Sequence, residues 1–121
     1  MRALVIDDER LARKELINLL SQYDQVEIVG EANNVDDAKE KIETLAPDVV
    51  FLDIQMPGFD GFSVVQGLME VEPPLFVFVT AYGEHAIRAF EAQAADYLMK
   101  PVEEDRLAAT LDRVRQRLAE K

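Results

Sequence analysis

Short apolar runs rich in β-branched or aromatic residues recur along the chain at similar spacing. They are Ala3-Leu4-Val5-Ile6, Val26-Glu27-Ile28-Val29, Val49-Val50-Phe51-Leu52, Phe76-Val77-Phe78-Val79 and Tyr97-Leu98-Met99. Most are near-continuous rather than alternating, the pattern of strands covered on both faces in a parallel sheet. The second run partly alternates and suits an edge strand. Between the runs the apolar period becomes that of a helix. Ala12, Leu16, Leu19, Leu20 and Tyr23 share one face, with Arg13, Lys14 and Asn18 off it. Val35, Ala38, Ile42 and Leu45 repeat the pattern, opened by Asn34 as N-cap and closed before Pro47. Leu107, Leu111, Val114 and Leu118 mark the last helix, whose Arg113, Arg115 and Arg117 lie toward the end where the helix dipole favours cations. Weaker periodicity predicts helices from Phe62 to Glu70 and from Glu84 to Glu91. Strand-helix alternation repeated five times predicts an α/β domain with a parallel sheet and right-handed crossovers.

Composition narrows the setting. A length of 121 residues suits one domain, and an apolar fraction of 49% with 31% charged residues is that of a soluble globular chain. No cysteine is present, which excludes a disulfide framework and a thiolate metal site. The chain lacks a secretory h-region at Met1 to Asp7 and any apolar run near the roughly 20 residues of a membrane span, so a cytoplasmic location is expected. A formal net charge of −11 argues against this chain itself gripping nucleic acid, which demands clustered Lys and Arg. Most of that charge reads as solubility. The position of a few carboxylates says more.

In open α/β sheets, ligands bind outside the carboxyl ends of the strands. Here the first strand ends in Asp7-Asp8-Glu9, the third in Asp53, the fourth in Thr80-Ala81 and the fifth in Met99-Lys100-Pro101. Each has an ordinary explanation. The acids could cap the following helix, Asp53 could form a turn before Met56-Pro57-Gly58, Thr80 could be one more strand residue, and Lys100 a solvated charge. Their convergence on one rim favours chemistry instead. Adjacent carboxylates repel unless a cation lies between them. Mg²⁺, or Mn²⁺ in its place, prefers such hard oxygen ligands and bridges carboxylates to phosphate oxygens. A carboxylate can attack phosphorus to form an aspartyl-phosphate, and phosphoryl transfer needs mainly positioning and neutralised oxygen charge. Mg²⁺, Lys100, the Thr80 hydroxyl and loop N–H groups can supply both.

The same residues resemble the receiver domain of two-component response regulators. The matching elements are Asp7-Asp8-Glu9, the stretch from Val49 through Leu52-Asp53-Ile54-Gln55-Met56-Pro57-Gly58 to Gly61, Val79-Thr80-Ala81, and Asp96-Tyr97-Leu98-Met99-Lys100-Pro101. They come in family order and spacing over essentially the whole chain. The resemblance implies a flavodoxin-like (βα)5 doubly wound sheet of order 2-1-3-4-5. It implies Asp53 as phosphoacceptor, served by a sensor histidine kinase. Asp8 would be a direct Mg²⁺ ligand, Asp7 a ligand largely through water, and Gln55 would offer its backbone carbonyl. Lys100 would pair with the phosphoryl group, Thr80 would move to hydrogen-bond it, and the switch aromatic Tyr97 would turn inward. Ala81 would leave access to the acceptor, and Lys100-Pro101 would be a cis peptide. Gln55 and Tyr82 stand at positions that tune dephosphorylation in relatives.

Within the family, Asp7 to Arg13, Val29-Gly30-Glu31-Ala32, Phe78 to Tyr82 and Ala89-Phe90-Glu91-Ala92 resemble the LytR/AlgR type, which carries a C-terminal LytTR DNA-binding domain. The expectation is a receiver over residues 1–121, with the DNA-binding output domain outside this chain, since Arg113 to Lys121 reads like a helix entering a linker. A single-domain receiver acting through protein contacts is the alternative. Arg88, Glu91, Asp96, Glu104, Asp105 and Arg113 could pair across a symmetric dimer on the face of the fourth helix, fifth strand and fifth helix, or be a solvated surface. His85, Met56, Met69 and Met99 read as incidental or packing residues. A haloacid-dehalogenase-like phosphatase would need a second Asp two residues after Asp53, where Gln55 stands. A flavin-binding protein would need a Ser/Thr/Gly-rich phosphate loop where Asp7-Asp8-Glu9 stand.

Overall fold

The apolar runs become strands because their side chains find cover on both faces. The computed structural model describes residues 1–54, 56, 74–81 and 94–120. In it β1 (Arg2–Ile6), β2 (Glu27–Ala32), β3 (Val49–Asp53), β4 (Leu75–Thr80) and β5 (Asp96–Met99) form one sheet. The order is β2-β1-β3-β4-β5 and every neighbouring pair is parallel, the doubly wound, flavodoxin-like arrangement expected. Among the described residues the helices are α1 (Arg10–Leu20), α2 (Val35–Leu45) and α3 (Glu104–Ala119). The predicted helices at 62–70 and 84–91 lie outside the described residues, as do Gln55, Met69, Tyr82, His85, Arg88 and Glu91. Among the described residues no helix is long and apolar enough to cross a membrane.

Strand residues divide by alternation between two core layers. Ala3, Val5, Val49, Phe51, Val77, Val79 and Leu98 pack with Leu16 and Leu20 of α1 and Leu107, Leu111 and Val114 of α3. Leu4, Ile6, Val50, Leu52, Phe76 and Phe78 face the other way, onto Ala38 and Ile42 of α2. The central strands β3 and β4 are buried throughout, whereas β2 is an edge strand with mostly half-exposed residues, which accounts for its partial alternation. Its pairing with β1 skips Val29, a bulge, and beside it Gly30 lies where a Cβ would come within 2.9 Å of Leu45 Cδ1.

The helix ends follow local chemistry. Asn34 caps α2, its Oδ1 accepting from the Asp37 N–H at 2.9 Å. The same helix ends at Ala46 in the left-handed region (φ 46°), with Arg2 Nη1 donating to the carbonyls of Leu45 and Ala46 at 2.6 and 3.0 Å. At α1 the acidic run precedes the helix and none of it lies in the first turn. Glu9 holds the N-cap position but makes no side-chain capping bond.

At the other edge of the sheet, α3 is fastened to β5 by Asp96, whose side chain is buried. Arg106 grips it with two parallel bonds, Nη1 to Oδ2 at 2.8 Å and Nη2 to Oδ1 at 2.7 Å. The Thr110 hydroxyl donates at 2.7 Å, the Tyr97 N–H at 2.9 Å and Arg113 at 3.1 Å. Burial alone would raise the Asp96 pKa. The hydrogen bonds from Arg106, Thr110 and Tyr97 and the Arg106 charge outweigh it and hold the carboxyl below its ordinary value of 3.8. Arg113 therefore serves Asp96 rather than the helix dipole. Met99, expected to pack, is 41% exposed.

Two stability outcomes follow from these contacts. In Ala46→Gly, relief of the left-handed penalty of roughly 1–2 kcal/mol outweighs the roughly 0.4–1 kcal/mol of added unfolded-state entropy, so urea unfolding gives a net gain. Asp96→Asn loses about 1.5–3 kcal/mol at neutral pH, the usual worth of hydrogen bonds to a charged group. Because the folded pKa is depressed, that contribution is complete above the unfolded-state value and fades as pH falls through the lower folded one. The gap between wild type and Asp96→Asn in urea midpoints is expected to be constant above about pH 5 and to close below about pH 4.

Candidate functional site

The parallel register brings the carboxyl ends of β1, β3, β4 and β5 to one rim. Asp7 follows β1 directly, and its backbone N–H donates to the Ala32 carbonyl at 3.1 Å, tying it to the end of β2. Asp53 is the last residue of β3 and pairs in register with Val79, so Thr80 closes β4 beside it. The Lys100 N–H donates to the Thr80 carbonyl at 2.8 Å, carrying the β4–β5 pairing one residue past β5. The Lys100–Pro101 peptide bond is cis. Asp7, Asp53 and Thr80 are buried, whereas Asp8 and Ala81 are exposed at the rim. Met56 is buried in the α2-side core, as a packing residue should be.

One carboxylate oxygen from each of Asp7, Asp8 and Asp53 lies within 4.8 Å of the other two. The spacing and the all-oxygen donor set suit a small hard divalent cation completed by water. Lys100 faces two of the three: its Nζ is 3.0 Å from Asp7 Oδ2 and 3.1 Å from Asp53 Oδ2. Burial would lower the Lys100 pKa, but the hydrogen bonds and charges of Asp7 and Asp53 overcome it and raise the ammonium above its ordinary value. The remaining oxygen of Asp7, Oδ1, accepts from the Glu9 N–H at 2.9 Å. Asp7 is thus oriented through both oxygens, while Asp8 joins the cluster from the adjoining, exposed position.

Tyr97 lies one residue before Leu98 and turns to the opposite face of β5, half-buried against the layer that contains Phe76 and Phe78. The described residues among the predicted set, Asp7, Asp8, Asp53, Thr80, Ala81 and Lys100, come together at the rim, with Tyr97 beside it on β5. Gln55 lies outside the described residues.

Two supporting arginines had no signal in the sequence. Arg13 bonds the Asp7 carbonyl at 2.8 Å through Nη1 and Glu31 at 2.7 Å through Nε, bracing the turn that carries Asp7 and Asp8. Arg106 reaches from α3 to Asp96 and to the Tyr97 carbonyl at 2.9 Å. Position relative to a helical face gives no hint that either would reach across to a strand end. Asp96 and Arg113, both considered for a dimer interface, pair with each other within the chain. Beside the rim, a groove of about 390 Å³ runs between α1 and the segment from Lys100 to Val102, flanked by Leu11, which is 75% exposed.

Known proteins are similar to this chain in sequence and fold. The family model described as the response regulator receiver domain matches residues 3–112. The transcriptional regulatory protein BtsR of Salmonella typhi is 50% identical over 116 residues, covering 96% of this chain and 48% of that protein. The sensory transduction protein LytT of Bacillus cereus is 47% identical over 112 residues, 92% of this chain and 46% of its own length. The chain therefore spans about half the length of these curated relatives. Among solved structures, the response regulatory domain of protein mrkE from Klebsiella pneumoniae superposes with a TM-score of 0.89 at 34% identity, covering 100% of both chains. With its acidic rim, its lysine after β5 and a family match over nearly its full length, the chain belongs to the response regulator receiver domains of two-component systems.

Proposed function

We propose that the chain is a Mg²⁺-dependent phosphoacceptor switch in which Asp53 takes a phosphoryl group from the phosphohistidine of a sensor histidine kinase. The observation that carries this reading is the placement of Asp53, buried, within 4.8 Å of Asp7 and Asp8 and 3.1 Å from the Lys100 ammonium. An Asp53 carboxylate oxygen attacks phosphorus, the P–N bond breaks, and the imidazole leaves with its electron pair and takes up a proton. Mg²⁺, when bound, neutralises charge on the phosphoryl oxygens and aligns them with the acceptor. Asp7, Asp8 and Asp53 would hold the ion, with the Gln55 carbonyl as the further ligand that the family resemblance implies. Lys100 pairs with the incoming phosphoryl oxygens instead of with Asp7. Ala81, small and exposed, leaves the acceptor open to the donor, and the groove beside α1 with Leu11 at its edge offers the kinase an apolar surface next to the rim.

The new dianion draws the Thr80 hydroxyl toward it, and Tyr97 repacks inward as Thr80 vacates space. The two arrangements coexist before phosphorylation, and the phosphoryl group shifts their populations. The face built from β5 and α3 carries the change to a partner or to a second copy. Relatives of about twice this length, one of them named a transcriptional regulatory protein, support an output of the LytTR DNA-binding kind beyond the receiver.

Incubation with acetyl phosphate and Mg²⁺ is expected to add one labile phosphoryl group by intact mass. Asp53→Asn is expected to abolish it. An adduct of the same level in that variant, or none in wild type, overturns the reading. Lys100→Met leaves Asp7 and Asp53 facing each other without their cation, and is expected to destabilise the Mg²⁺-free protein by about 1–3 kcal/mol in urea unfolding. Saturating Mg²⁺ restores part of that loss if the carboxylates form the ion's site. No recovery in Mg²⁺ would contradict it.

A further inference from the structure

Arg106 sits in the first turn of α3 and straddles the edge of the sheet. Its guanidinium is gripped on one side by the Asp96 carboxylate and by Thr110 Oγ1 at 2.9 Å. On the other side its central carbon lies 5.4 Å from the centroid of the Tyr97 ring, and Nη2 donates to the Tyr97 carbonyl. The Asp96 side chain is only 2% exposed, and Thr110 is fully buried, so the guanidinium has little freedom to move. A cation held near an aromatic ring attracts it.

We infer that Arg106 is a positioning residue for Tyr97, holding its ring at the β5 edge and so opposing the inward placement. The inference rests on the proposed role of Tyr97 in the switch. An interaction shifts the balance between two states only as far as it is stronger in one than in the other. The guanidinium is tied to α3 and to a buried carboxylate, so its attraction favours the ring placement seen here, half-buried with the ring centroid 5.4 Å away, over one in which the ring moves further in. A half-exposed cation–π contact corresponds to roughly a two- to fivefold bias. The neighbouring Arg113 shares the Asp96 carboxylate but lies two turns further along α3. It contributes to anchoring the helix, whereas Arg106 does that and also faces the ring.

The test uses the full chain labelled with 3-fluorotyrosine, whose three tyrosines give three ¹⁹F resonances, with that of Tyr97 assigned through Tyr97→Phe. Spectra are taken in Mg²⁺ alone and in Mg²⁺ with beryllium fluoride, a stable mimic of the aspartyl-phosphate. Wild-type Tyr97 is expected to move on addition of beryllium fluoride. In Arg106→Gln its resonance in Mg²⁺ alone lies part-way toward the treated position, while the treated positions of variant and wild type coincide. Labelling of Asp53 by acetyl phosphate then rises roughly two- to fivefold. Arg106→Lys, which keeps the charge and loses the fork, falls between. Arg113→Gln lowers the melting temperature but leaves Tyr97 where wild type has it. A Tyr97 resonance unmoved by Arg106→Gln, or moved equally by Arg113→Gln, overturns the inference and leaves the switch intact. A wild-type Tyr97 that ignores beryllium fluoride while the Asp53 adduct forms removes the switch role of Tyr97, and this inference with it.

Discussion

Three carboxylates held within 4.8 Å of one another make the rim of this sheet a place where positive charge has to be supplied. Two of them, Asp7 and Asp53, are buried, so water screens them poorly. Lys100 supplies one charge from a third segment of the chain, bridging both at about 3 Å. The rest of the domain serves that junction. The parallel register sets Asp53 beside Val79 and Thr80, and the Lys100 N–H to Thr80 carbonyl bond fixes where the ammonium enters. Arg13 holds the backbone of Asp7 from the other side. Three formal negative charges from Asp7, Asp8 and Asp53 stand against the one positive charge of Lys100, an imbalance that a divalent cation would even out.

β5 has two tasks on its two faces. Leu98 and Asp96 turn toward α3, one giving apolar contact and the other a buried anion for Arg106, Thr110 and Arg113. Tyr97 turns the other way, and Lys100 leaves the end of the strand for the acidic rim. A four-residue strand thus links the acidic rim, the candidate switch side chain and α3. Arg106 joins the last two, because its guanidinium contacts both the Asp96 anion and the Tyr97 ring.

The parts of this fold that were legible in the sequence are those governed by periodicity and by end chemistry. Strands buried on both faces leave no alternation to hide, so β3 and β4 read directly from Val49-Val50-Phe51-Leu52 and Phe76-Val77-Phe78-Val79. Asn34 announced α2, and the rule that ligands gather at strand ends placed Asp7, Asp53, Thr80 and Lys100 together. What escaped depends on reach rather than pattern. Arg13 and Arg106 occupy ordinary helical positions, and only the fold shows that their guanidinium groups extend back to a strand end. The left-handed Ala46 escaped because alanine carries no signal for that conformation, and the exposure of Met99 because an apolar residue at a strand end reads as core. Arg113 looked like a dipole charge and proved to be a partner of Asp96.

Reductive trapping locates the acceptor most directly, since borohydride converts an aspartyl-phosphate to homoserine at the residue that carried it. The chain is treated with acetyl phosphate in Mg²⁺ or in EDTA, reduced, digested and read by fragmentation mass spectrometry. The account predicts homoserine at position 53 in Mg²⁺ and none in EDTA. Homoserine at another carboxylate, or equal amounts at position 53 without the metal, would contradict it.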